Sequence, residues 1–395
     1  MDYSLYLHIP FCRRRCGYCD FNTYAGREAL LVPYVQGVLS ELRLVAAAAG
    51  QPLSVGTIYF GGGTPSLLAA TQVQQLLEEI AALFQVRANA EVTLEANPGT
   101  LTRAALAGLR TAGVNRLSLG MQAGHVQELR TLDRWHTTAQ VFEAVHQAQQ
   151  VGFERLSLDL IYGIPGQTLT RWQETIEMAL EMGVEHLSLY SLTVEQGTPL
   201  ARWVGRGLLP QPDEDLAADM AEWAAQRLEQ AGFEQYEISN WARRDAQGCL
   251  RSSQHNLQYW HNDPYLGFGA GAHGWAAGFR TANEPTIEAY LSRLTAGPSE
   301  AFPFSPANVT RLKIDRQTEM QETMMVGLRL MQEGVAEQRF VQRFGVSMLD
   351  VFAEPIERLT RQGLLEWVSI QGQSRLRLTR RAWLIGNRVF AEFVG

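Results

Sequence analysis

The sequence predicts an α/β protein: a partial (β/α)6 barrel followed by a small C-terminal domain of winged-helix-like α+β type. Three observations carry this. Six β-rich runs alternate with helix-length segments, and a proline-punctuated stretch then separates that series from a shorter set of helices with a hairpin. The chain has 395 residues, more than the roughly 250–300 at which a single core stops growing, so two domains are expected.

Strands are expected at Leu5–Ile9, Thr57–Phe60, Glu91–Glu95, Arg116–Gly120, Leu156–Ile161 and His186–Leu192. The helices between and after them are Val35–Ala49, Thr71–Phe84, Thr102–Ala112, Thr138–Val151, Thr168–Met182 and Asp213–Ala231. Several open on a Thr or Asp able to cap the first turn and close at a Gly that tolerates a left-handed exit. Strands joined by helices run parallel, and six units rather than eight leave the barrel open. In that architecture chemistry gathers at the C-terminal strand ends.

This part spans residues 1–280. A connector at 281–309 is marked by Asn283-Glu284-Pro285, Ala296-Gly297-Pro298 and Phe302-Pro303-Phe304-Ser305-Pro306. Residues 310–395 hold helices at Glu319–Gln332, Ala336–Phe344 and Ser347–Gln362, a hairpin at Leu364–Ser369 and Arg375–Thr379, and a last helix at Ala382–Phe393. With 13 Lys/Arg against 10 Asp/Glu there, the cationic excess is too small for a phosphate-binding face, so the domain is expected to pack or to act as a lid.

Composition narrows the class. At 46% hydrophobic and 19% charged the chain folds rather than staying disordered. A net charge of −7 argues against binding nucleic acid or anionic membranes nonspecifically. No signal peptide and no run of about 18 apolar residues are read, so a cytoplasmic protein with reduced thiols is expected, not an integral membrane protein.

Cys12, Cys16 and Cys19 form a CxxxCxxC cluster just after the first strand, and the one other cysteine is Cys249. An odd trio suits neither a disulfide framework nor inert buried thiols, and structural zinc normally takes four ligands. A cubane iron–sulfur cluster on three thiolates keeps one iron open. Gly61-Gly62-Gly63-Thr64-Pro65 follows the second strand; alone it is as often a tight turn as a binding loop, but here it neighbours the cysteine loop.

The stretch from Tyr6 through His8, Pro10, Phe11, Cys12, Cys16 and Cys19, with the glycine loop after it, resembles the radical S-adenosylmethionine (SAM) superfamily. Within it the chain resembles the oxygen-independent coproporphyrinogen III oxidase family and its HemW-like branch of heme chaperones, from about Tyr3 to the C-terminus. The resemblance implies a 4Fe-4S cluster whose open iron is chelated by the amino and carboxylate groups of SAM, which a reducing electron splits into methionine and a 5′-deoxyadenosyl radical. It implies SAM contacts at Tyr6, at Gly62, Gly63 and Thr64 for the methionine amino end, and at Glu95 and Gln122. It further implies Arg134 for the carboxylate, Asp159 for the ribose and Thr193 near the adenine, with Gly163-Ile164-Pro165-Gly166-Gln167 as an adenine-side loop. Taken singly, Glu95, Gln122, Arg134 and Asp159 read as ordinary polar residues; together at successive strand ends they do not.

Two positions bear on function. The oxidases carry a further cysteine two residues after the third ligand, and here that place is Phe21. His255-Asn256-Leu257-Gln258-Tyr259-Trp260 matches an HNxxYW motif associated with heme in the chaperone branch, which makes His255, Asn256, Tyr259 and Trp260 heme-binding candidates; without the family His255 reads as a satisfied loop histidine. The expected function is a heme chaperone whose partners are heme, an unidentified acceptor protein and, where SAM is cleaved, an electron donor. The rivals are a coproporphyrinogen III oxidase or another radical-SAM catalyst such as a methyltransferase, and a purely structural iron–sulfur protein. His8 and His273 are assigned no ligand role, and Cys249 is expected to be an unpaired thiol.

Overall fold

The computed structural model describes residues 2–295 and 301–394; Ala296-Gly297-Pro298 of the expected connector lie outside the described residues. All six expected runs are strands: β1 (Tyr3–Ile9), β2 (Ser54–Gly62), β3 (Gln85–Ala96), β4 (Arg116–Gln122), β5 (Arg155–Tyr162) and β6 (His186–Ser191). They pair in parallel in chain order. The longer helices between and after them are α1 (Leu31–Ala49), α2 (Ala70–Leu83), α3 (Arg103–Ala112), α4 (Thr138–Gln150), α5 (Leu169–Glu181) and α6 (Glu214–Gln230). Thr102, Thr137, Thr168 and Asp213 each accept a backbone N–H of the first turn, as the capping signals predicted.

The pleat explains how these strands serve core and site together. On β4, Leu117, Leu119 and Met121 are fully buried in the layer that receives the helices, while Ser118, Gly120 and Gln122 point to the other face.

The sheet does not stop at six strands. Among the described residues it holds twelve, and β7 (Phe233–Gln235) and β8 (Asn240–Arg243) extend it beyond β6. On the other side β9 (Tyr265–Phe268) lies parallel to β1, followed by the antiparallel strands β10 (His273–Ala276), β11 (Phe279–Asn283) and β12 (Asn308–Lys313). These are short and some are glycine-rich, so they lack the apolar runs that announced β1 to β6. Gly267 shows why glycine stands there: a Cβ at that position would fall 2.0 Å from the carbonyl oxygen of His273 on the paired strand.

Residues 281–309, expected as a connector, hold the end of β11, helix α8 (Ile287–Leu294) after the short α7 (Gln254–Trp260), and the start of β12. Ile287, Tyr290, Leu294 and Ala307 belong to the larger core. A second core gathers Met324, Phe340, Met348, Ile356 and Leu376. It is built by α9 (Arg316–Gly327), α10 (Glu337–Phe344), α11 (Met348–Arg361) and α12 (Gly386–Ala391), with a small sheet of β13 (Val335–Ala336), β14 (Leu365–Ile370) and β15 (Gln373–Leu378). Three helices followed by a hairpin give the expected winged-helix-like pattern.

The helical stretch Glu28–Ala49 is long and apolar enough to cross a membrane, contrary to the sequence expectation. Its apolar face packs on the sheet through Val35, Val38, Leu39 and Leu42, all buried, as in a core helix of a folded domain. On the same helix Glu41 is 1% exposed. Its carboxylate accepts from Gly269 N, Asn283 Nδ2, Tyr290 Oη and Ser305 Oγ at 2.7–2.9 Å. One buried acceptor therefore ties α1 to the β9–β10 turn, β11, α8 and the segment before β12. Truncating it as Glu41→Ala leaves those donors without an acceptor, and calorimetric or urea unfolding is expected to show a loss of about 2–4 kcal/mol; a loss within the error of the measurement contradicts the assignment.

Candidate functional site

The C-terminal ends of β1 to β6 surround a cavity of about 540 Å³. Lining it together are Tyr6, Cys12, Cys16, Cys19, Gly62, Gly63, Thr64, Glu95, Gln122, Arg134, Asp159 and Thr193, with His255, Asn256 and Tyr259 of the HNxxYW segment. Parallel register brings the strand-end residues to one edge of the sheet, and α7 adds the HNxxYW segment from farther along the chain.

The cysteine loop is held at both ends. Phe11–Cys12 pairs with Tyr24–Ala25 in a two-residue parallel ladder, and Gly17 N donates to Leu132 O at 3.3 Å. The three cysteines are unpaired and partly buried. Thr64 Oγ1 donates to Cys12 Sγ at 3.5 Å, and an Arg134 guanidinium N–H to Cys16 Sγ at 3.3 Å. Burial pushes the Cys12 and Cys19 thiols up, and the neighbouring cysteines add to this, so loading the trio with metal would release protons. Among the described residues no three His, Cys, Asp or Glu side chains converge closely enough to hold one mononuclear ion. A cubane does not require that convergence, because each thiolate attaches to a different iron.

The glycine loop is shaped by close packing. Gly62 has φ +108°, and a Cβ there would fall 2.4 Å from the His8 ring; one on Gly63 would fall 2.6 Å from Phe11 O. Its N–H groups are already engaged: Gly62 N donates to Glu95 Oε2, Gly63 N to Ile9 O and Thr64 N to Phe11 O.

Around the cavity, Glu95 also accepts from Tyr59 Oη at 2.7 Å, and burial pushes its carboxyl up to about 7. Asp159 accepts from Ser118 Oγ at 3.1 Å and is likewise raised by burial. Gln122 has φ +65°, a left-handed conformation costly for a non-glycine residue, and sits where the β4–β5 register shifts. Arg134 donates a second bond to Gly120 O at 3.0 Å, and its buried Nε has no hydrogen-bond partner among the described residues. Tyr6 Oη bonds His8 Nδ1 at 3.0 Å, and His8 Nε2 bonds Asn22 O at 2.9 Å, so His8 braces the cysteine loop. Gly163–Gln167 does not reach the cavity: Ile164 packs in a small cluster with Leu129 and Leu132, and Gln167 folds back onto Ile164 N.

Helix α7 carries the HNxxYW segment. The buried carboxylate of Glu91 accepts from Gln254 N and His255 N at its N-terminus and pairs with Arg155 at 2.9 Å, which fixes where the helix begins. His255 is 1% exposed, bonded through Nδ1 to Thr57 Oγ1 at 2.8 Å and through Nε2 to Tyr259 Oη at 2.9 Å, and stacked on Tyr59 at 4.8 Å. Both ring nitrogens are thus in use, so ligation of a metal by His255 would require Thr57 or Tyr259 to release it. Trp260 is not in the cavity. It lines a separate space of about 120 Å³ against the C-terminal domain, with the Arg329 guanidinium 5.3 Å from its ring.

The sequence reading missed Tyr59, Arg116, Ser118, Ser188, Tyr190, Trp135 and Arg13 to Arg15, all of which line the cavity. Strand alternation carried the signal for most of them: Ser118 and Arg116 lie two and four residues before Gly120 on one face, and Tyr59 lies two before Gly61. Cys249 is exposed and unpaired.

Comparison with known proteins gives consistent matches. Residues 6–179 match the radical SAM superfamily and residues 314–385 the HemN C-terminal domain. The chain is 36% identical over 393 residues to heme chaperone HemW of Bacillus subtilis, covering 99% of both chains. It is 36% identical over 396 residues to heme chaperone HemW of Mycobacterium tuberculosis, covering 100% of this chain and 95% of that relative. Against mouse radical S-adenosyl methionine domain-containing protein 1, mitochondrial, identity is 37% over 368 residues, 92% of this chain and 81% of the relative. Coproporphyrinogen III oxidase (HemN) of Escherichia coli superposes with a TM-score of 0.81 at 22% identity, covering 99% of this chain and 90% of that one, which shows a shared fold.

The buried imidazole of His255 has a measurable consequence. Burial, aided by the charge of Arg116, pushes its pKa down from 6.5 to about 3. Between those values the unfolded chain binds a proton that the folded chain refuses, so the contribution of His255 is intact above pH 6.5 and is lost as pH falls toward 3. In urea unfolding across pH 5–6, His255→Gln is expected to flatten the pH dependence by up to about 1.4 kcal/mol per pH unit. An unchanged slope contradicts a neutral buried imidazole.

Proposed function

The chain belongs to the radical SAM superfamily, to the coproporphyrinogen III oxidase family within it and to the HemW branch of that family, and from this premise we propose that it binds heme and passes it to an acceptor protein while carrying a 4Fe-4S cluster and SAM. The observation that carries the reading is full-length similarity to heme chaperones combined with Phe21 at the place where the oxidases bear another cysteine.

The residues present fit the cofactors. Cys12, Cys16 and Cys19 would hold the cluster as thiolates, with the Thr64 and Arg134 donors stabilising their charge. A cluster held by three thiolates would keep one iron open and would supply the site for SAM and the electron for its reduction. Because the N–H groups of the glycine loop are occupied, what the loop offers is carbonyl oxygen, the right polarity for an ammonium. Arg134 is the cation for a carboxylate. The Asp159 and Glu95 carboxylates offer acceptors for ribose hydroxyls and the amino acid end. Four unpaired cysteines suit a reducing compartment, and a cytoplasmic location belongs to the same proposal. The break between the two cores supports two domains meeting near Ile314, the second packing under α7 at Trp260.

Three measurements test this. Anaerobic titration of the reconstituted protein with heme is expected to show a saturable Soret shift at one heme per chain, and Cys16→Ala is expected to lose the cluster's visible absorbance. Incubation with reductant, SAM and coproporphyrinogen III is expected to give no protoporphyrinogen. Oxidase turnover in the absence of heme binding reverses the assignment.

A further inference from the structure

We infer that heme docks at the mouth of the cavity, its planar face against Phe21 and Trp135 and its propionates on Arg13 and Arg15. This rests on the heme-binding reading above and adds where the ligand sits. Phe21 is 64% exposed and Trp135 36% exposed, large apolar side chains on the rim of one cavity. Exposed aromatics grouped beside cations match an apolar macrocycle that carries two carboxylates at one edge.

The surface is pre-formed. Gly99 lets the turn at Pro98–Thr100 press on the Trp135 ring: a Cβ there would lie 2.4 Å from it, so the indole is braced on that side. The Arg13 guanidinium stands 6.0 Å from the same ring. Arg15 donates to Phe21 O at 3.3 Å, which ties its guanidinium to the backbone of that residue. Among the described residues neither Arg13 nor Arg15 forms an ion pair, although Asp20 and Glu195 share the rim; Arg14, by contrast, is committed to Asp133 at 2.5 Å. The interior is the wrong place for a macrocycle. Its volume is that of one drug-sized ligand, its walls carry Glu95, Asp159, Arg134 and the thiols, and the His255 ring nitrogens are already bonded.

The test is titration of the full chain with hemin and with metal-free protoporphyrin IX, which removes any axial histidine from the outcome. Wild type is expected to bind both. Phe21→Ser and Trp135→Leu are expected to weaken both by about tenfold, and so is the double variant Arg13→Gln/Arg15→Gln. The double variant should also reduce the salt dependence of binding and show no defect toward protoporphyrin dimethyl ester, whose propionates are uncharged. Cluster absorbance reports whether each variant reconstitutes, and cluster-free wild type is the reference for one that does not. Heme binding by wild type with the variants within twofold of it overturns the rim site and leaves the chaperone reading standing. No heme binding by wild type overturns both.

Discussion

Parallel pairing from β1 to β6 brings the C-terminal ends of six strands to one edge, and that edge places nearly every polar side chain of the cavity. The apolar alternates of the same strands, such as Leu117, Leu119 and Met121, are fixed by burial against the helices. A one-residue slip of any strand would exchange the two faces, sending carboxylates into the core and leucines into the cavity. Core and site are therefore specified by one register.

A polar floor in a buried place is costly unless each group has a partner. Here Glu91 grips the start of α7 and Arg155, Thr57 bridges Ser4 and His255, and Tyr59 bonds Glu95 while stacking on His255. The HNxxYW helix thus has two structural duties. His255 closes the floor of the cavity, and Trp260, five residues on, packs against the C-terminal domain. The exposed aromatics lie on the rim instead, with Arg13 and Arg15, which form no ion pair among the described residues, so polar interior and amphipathic rim are separate in space.

Much of this was legible in the sequence. The long strands announced themselves through apolar runs, and the helices through Thr and Asp caps and amphipathic spacing. The cysteine trio and the strand positions Glu95, Gln122 and Asp159 did gather in one cavity, and Arg134 joins them not from a strand end, as expected, but from the loop after a short helix at Val126–Thr131. What escaped was of two kinds. Strands β7 to β12 depend on tertiary pairing and close backbone approach, as at Gly267, and carry little local signal. The separation of Trp260 from His255 was invisible because a six-residue motif says nothing of which side of its helix meets which domain. Pro285 and Ser305–Pro306 read as connector signals, although the glutamate that ties their neighbourhood to α1 lies far back at position 41.

The central claim is that the three cysteines at this edge hold a cluster whose remaining iron is left to SAM. Mössbauer spectroscopy of protein reconstituted anaerobically with ⁵⁷Fe, recorded before and after addition of SAM, tests it most directly. The account predicts that about one iron in four changes its parameters toward nitrogen and oxygen ligation when SAM is added. Four equivalent irons that do not respond to SAM, or a cluster that survives Cys16→Ala unchanged, would contradict it.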